Sequence, residues 1–119
     1  MEDDLAALVQ RLDVERRDAT AQVRALTREF DQIVESSELV STDDEHDPEG
    51  ATIAYERAKT SALLRSATSR VAELDQALER VQRGTYGRCA GCGGAIGADR
   101  LEALPSTDRC VTCAAAPPP

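Results

Sequence analysis

The sequence predicts a mainly α protein: a long antiparallel coiled-coil helical hairpin followed by a small module built on four cysteines. Three observations carry this reading: a coiled-coil apolar rhythm that occurs twice, an acidic stretch between the two occurrences, and two short-spaced cysteine pairs after the second. Of the 119 residues 41% are hydrophobic, but much of that is alanine, aromatics are 3% and tryptophan is absent, so a large globular core is not expected. Long paired helices with a staple are the alternative way to hold such a chain.

Along residues 1–40 the apolar positions are Leu5, Val9, Leu12, Ala19, Val23, Leu26, Phe30 and Ile33, in steps of three and four with Arg16 in the one gap. The same rhythm returns as Ile53, Thr60, Leu64, Ala67, Val71, Leu74, Leu78 and Val81, with Arg57 in the vacant position. If residues 41–50 are the bend, the seams pair antiparallel: Leu5 with Val81, Leu12 with Leu74, Leu26 with Thr60, and Phe30 with Arg57. Arms of about 30 residues are then ~45 Å long, with the acidic stretch at their far end. Periodicity alone also permits pairing with a second chain. We read a monomeric hairpin over 1–83, in which the two seam arginines set the register or lay their stems along apolar surface and keep their charge in water. Asp47 is placed to cap the second helix, Pro48 suits its first turn, and Glu49 suits the positive end of its dipole. Gly84 after Arg83 marks its stop.

Net charge is −8, and all of it lies in residues 1–83, where 19 acids meet 11 bases; residues 84–119 hold three of each. A sequence-independent grip on phosphates needs a basic face, so a protein partner is expected and direct DNA or RNA recognition is not. The bend, STDDEHDPEG, carries five carboxylates and the sole histidine, His46, read as a solvated loop residue. A hairpin bend is ordinarily polar, so solvation alone is one reading of these acids; the other is that Asp43, Asp44, Asp47 and Glu49 act on a partner. MEDDLAALVQ has no basic or apolar leader pattern, and no window approaches the roughly 20 apolar residues of a membrane span. The expected compartment is the cytoplasm, where thiols stay reduced.

Cys89 and Cys92 are two residues apart, as are Cys110 and Cys113, with seventeen residues between the pairs. This spacing lets four thiolates converge on one zinc ion, and Gly91, Gly93 and Gly94 permit turns that aim backbone amides at the sulfurs. Four protein ligands leave no open position, so the zinc is structural. Ile96, Leu101 and Leu104 supply a small apolar cluster, and ADRLEALP reads as a short helix stopped by Pro105. The module spans 84–113, and 114–119 are expected to be a disordered tail. No activated nucleophile, phosphate-binding loop or enclosed pocket is indicated, so no enzymatic activity is expected.

Tyr86-Gly87, the first cysteine pair, Gly93, Ile96, Arg100-Leu101-Glu102-Ala103, Pro105 and the second pair, following a helical hairpin, resemble the DksA/TraR family of bacterial transcription regulators. The resemblance is dense over 84–113 and architectural over the hairpin. It implies a regulator that binds RNA polymerase directly, without contacting promoter sequence, and inserts its coiled-coil tip into the secondary channel to modulate initiation. It departs at the tip, where the family's D-P-x-D-x-A pattern reads Asp47-Pro48-Glu49-Gly50-Ala51-Thr52, so Gly50 replaces the second aspartate. Along Leu64 to Glu79 only Arg65 and Arg70 are basic, which does not match the cluster that family members use for guanosine tetraphosphate. The alternative function is a zinc-stabilised coiled-coil adaptor that docks on another protein without channel insertion.

Overall fold

The computed structural model describes residues 2–38 and 48–116. Four helices follow in order: α1 (Glu2–Glu38), α2 (Pro48–Arg83), α3 (Ala98–Ala103) and α4 (Val111–Ala115). The two long helices lie in a hairpin-like arrangement, and among the described residues there is no strand beyond one isolated bridge, Arg88 to Ala95. None of these helices is long and apolar enough to cross a membrane.

The lengths of α1 and α2 follow from composition. Neither glycine nor proline interrupts α1, and in α2 both occur only in the first turn, as Pro48 and Gly50. Proline there forfeits no intrahelical bond, and Glu49 beside it faces the positive end of the helix. Asp47, the expected cap, lies outside the described residues. The far end of α2 closes as its sequence predicts. Gly84 has φ 76°, its N–H donates to Val81 O at 3.2 Å, and the Thr85 N–H reaches Arg80 O at 2.9 Å. These two bonds are the Schellman pair, which satisfies carbonyls that a helix end otherwise orphans.

Two compact units divide the chain: Met1–Arg17 with Val71–Pro119, and Asp18–Arg70. In the first, Leu12 and Leu74, expected to share a layer, are both wholly buried. Val9, Val71, Leu78 and Val81 are half-buried around them. In the second unit Ala19, Leu26, Thr60 and Ala67 are buried, with Val23, Phe30, Ile33, Ile53 and Leu64 half-buried.

Leu5 differs from expectation, and the seam arginines take two different environments. Leu5 is 45% exposed, because the start of α1 turns a different residue inward: Leu8, three positions on, packs against the cluster of Cys89, Ile96 and Leu101. Arg57 is exposed, as the desolvation cost of a guanidinium demands. Arg16, the other seam arginine, is half-buried and ion-paired to Asp75 of α2. Ala77 is wholly buried although the heptad rhythm passes over it. It stands one turn before Arg80, whose guanidinium reaches the loop after α3.

Candidate metal centre

The first cysteine pair sits in a turn that the backbone closes on itself. The Cys89 N–H donates to Gly94 O at 2.8 Å, and the Gly93 N–H returns to Cys89 O at 2.9 Å. Gly93 has φ 75°, a left-handed conformation that a side chain would strain. Gly91 is required for a different reason: a Cβ there would stand 3.0 Å from Cys113 Sγ. The second pair opens α4. Cys110 is its N-cap, and its sulfur accepts from the Cys113 N–H at 3.4 Å. Ala114 donates to Cys110 O at 2.9 Å and Ala116 to Cys113 O at 3.3 Å. Disorder from residue 114 onward is therefore corrected: Ala114 and Ala115 complete α4 because the capping turn of the second pair recruits their amides. Residues 117–119 lie outside the described residues.

These turns bring all four sulfurs within 4.8 Å of one another, with Cys92 and Cys110 Sγ 4.0 Å apart. Tetrahedral zinc–thiolate bonds of about 2.3 Å place ligand sulfurs about 3.8 Å apart, so the donor set fits one such ion. Among the described residues this is the sole group of three or more His, Cys, Asp or Glu arranged for a metal. The four cysteines are positioned to bind one metal ion, and with four protein ligands the ion is structural.

The backbone also sets the charge distribution. Cys89 is buried, and its sulfur accepts from the Cys110 N–H at 3.3 Å, from the Cys92 N–H, and from the Gly91 N–H at 3.3 Å. These donors, Cys110 first, hold its thiol at about 6 against an ordinary 9.0. Cys113 is pushed up to about 12, chiefly by sharing hydrogen bonds with the Cys89 sulfur and then those of Cys110 and Cys92. Without metal, the cluster concentrates negative charge on Cys89; a divalent cation at the centre is what lets all four ionise together.

Polar side chains hold the frame from outside the metal shell. Arg100 Nε donates to Arg109 O at 2.8 Å, immediately before Cys110. Arg80 reaches Ser106 O at 3.1 Å, the Tyr86 hydroxyl donates to Pro105 O at 2.8 Å, and Arg11 of α1 donates to Glu102 O. Three of these bonds satisfy loop carbonyls, and the fourth satisfies a carbonyl in the last turn of α3, which the helix end leaves without an intrahelical partner. The spacing of the cysteines does not reveal this set; the one signal was the Arg100-Leu101-Glu102-Ala103 run.

Residues 84–117 match the family model described as the prokaryotic dksA/traR C4-type zinc finger. The module is similar to that type of zinc finger along its described length. Similar sequences include an uncharacterized protein of Aquifex aeolicus (strain VF5), 50% identical over 42 residues, which cover 35% of this chain and 29% of that protein. The uncharacterized protein YteA of Bacillus subtilis (strain 168) is 37% identical over 67 residues, covering 56% of this chain and 28% of YteA. The matches thus span under a third of either relative's length. The structure of transcription factor DksA2 from Pseudomonas aeruginosa superposes with a TM-score of 0.78 over 95% of this chain and 81% of its own, at 23% sequence identity. At that identity what is shared is the fold: a helical hairpin joined to the zinc finger.

The tip candidates are divided. Glu49 is exposed in the first turn of α2. Asp43, Asp44 and Asp47, and His46 between them, lie outside the described residues.

Proposed function

We propose that this chain is a transcription regulator that binds RNA polymerase directly and inserts the acidic bend of its hairpin into the secondary channel to modulate initiation. The observation that carries the reading is the joining of a dksA/traR-type zinc finger to a long two-helix hairpin, a fold shared with a solved transcription factor over 95% of the chain. Charge supports it. Residues 1–83 carry an excess of eight acids, so the hairpin repels nucleic acid and favours a protein whose interior channel is lined with cations.

In this reading the division of labour is chemical. Zinc holds the module and has no open position for a substrate, and the chain catalyses nothing itself. Carboxylates that reach a catalytic centre holding magnesium either take positions in the metal's coordination shell or pair with nearby cationic side chains. Asp43, Asp44, Asp47 and Glu49 are the candidates, with Gly50 where the family pattern places a second aspartate. The chain acts as a monomer in the cytoplasm, where its thiols stay available to zinc.

The test is binding to purified bacterial RNA polymerase at modest salt, followed by initiation assays on the chain with Asp43, Asp44 and Asp47 changed to Asn and Glu49 to Gln. The expected result is retained binding with altered initiation kinetics. Absence of polymerase binding by the unaltered chain would overturn the proposal and leave an adaptor for another protein.

A further inference from the structure

Within Asp18–Arg70, an open groove of about 610 Å³ runs between residues 29–36 of α1 and 49–63 of α2. Its surface mixes two chemistries. Ile33 and Ile53 are half-buried in it and Leu63 is left 45% exposed, so the described residues leave this apolar strip partly open. Glu29, Glu49 and Glu56 border the strip with Lys59, three carboxylates against one ammonium. Glu49 has an interaction of its own, but neither Glu29 nor Glu56 has an ion-pair partner among the described residues. Thr60 also lines the groove at 3% exposure.

The arrangement selects among cationic ligands. The carboxylates do not converge as a metal site does, since among the described residues only the four cysteines bring three ligand atoms together. A single divalent ion would also meet Lys59 and gain nothing from the isoleucines. A guanidinium on a three-carbon stem uses everything present: the stem lies on Ile33, Ile53 and Leu63, and the planar head reaches separated carboxylates. Arginine is moreover enriched at protein interfaces.

We propose that this groove seats an arginine-bearing segment of the protein partner, held by Glu29 and Glu56 over the Ile33, Ile53 and Leu63 floor. The inference rests on the polymerase reading for the partner's identity, so that the segment belongs to RNA polymerase. It adds to the tip a second contact along the side of the hairpin.

Two measurements on the full zinc-loaded chain decide it. In the first, methyl NMR signals of Ile33, Ile53 and Leu63 are followed during titration with a blocked nine-residue peptide carrying three arginines among leucines and alanines. These signals are expected to shift while those of Ile96 and Leu101 stay still, with affinity falling as salt rises. The double variant Glu29→Gln, Glu56→Gln, which keeps helix propensity, should weaken binding about tenfold, a loss of about 1.4 kcal/mol. Lys59→Gln should tighten it. Equal binding by the double variant, by a peptide with glutamate in place of arginine, or equal shifts with magnesium chloride would overturn the groove assignment. In the second, the double variant is titrated against purified polymerase. Weakened binding supports the assignment, and unchanged binding overturns it. Failure of the unaltered chain to bind polymerase sinks the functional reading, with the peptide titration deciding the groove alone.

Discussion

Two regions of this chain take segments of the same two helices and are held by different means. The unit of Met1–Arg17 with Val71–Pro119 has two wholly buried leucines, four converging cysteines, and arginine and tyrosine side chains bonded to loop carbonyls. Asp18–Arg70 has a seam mostly of small or branched residues, a buried threonine at position 60, and a Thr20 hydroxyl that is buried without a partner. One region is specified by directional bonds and a metal, the other by periodicity alone. The difference teaches where the chain tolerates change. The seam of Asp18–Arg70 spreads its burial over many partly covered positions, whereas the metal frame fails when one ligand goes.

The largest effect that sharpens this comparison is metal removal. A strong chelator, or Cys110→Ser, should abolish the folded signals of Ile96, Leu101 and Tyr86. Structural zinc in small fingers is worth on the order of 10 kcal/mol, and the module has little else at its centre. Helical signals from Asp18–Arg70 should survive. An unchanged thermal transition after chelation would refute the metal's role. Next is Leu74→Ala, which empties a wholly buried site and should cost about 2–5 kcal/mol in urea unfolding. A cost below about 1 kcal/mol would mean that the Leu12–Leu74 layer is not a core. Tyr86→Phe removes the hydroxyl bonded to Pro105 O and should cost about 1 kcal/mol, with amide exchange rising in residues 104–109 and not in 18–70. The smallest effect has the opposite sign. Thr20→Val removes an unpartnered buried oxygen at nearly constant volume and should raise stability by up to about 1 kcal/mol; destabilisation would show that the hydroxyl has a use the comparison misses.

Much of this molecule was legible in its sequence because it is built from local rules. The two long helices followed from the heptad rhythm, the limits of the second from Pro48, Glu49 and Gly84, and the metal centre from spacing. What was not legible came from packing across the chain. Leu5 belonged to the heptad by period, yet Leu8 is the residue that meets the module, since the seam ends where the module begins to cover α1. Ala77 was passed over because it stands between the heptad positions Leu74 and Leu78, yet it is wholly buried. Tyr86 and Arg100 stood in the quoted motif, but the carbonyls that they and Arg80 bond carry no sequence signature. Ala114 and Ala115 read as tail from composition, yet the capping turn at Cys110 draws them into α4.

The central claim is tested most directly by a photoreactive residue at position 46, between the tip acids, in the zinc-loaded chain bound to purified bacterial RNA polymerase. The account predicts crosslinks to polymerase elements that line the catalytic centre. Bound protein that crosslinks only to the outer surface of polymerase, or not at all, would contradict channel insertion and return STDDEHDPEG to the role of a solvated bend.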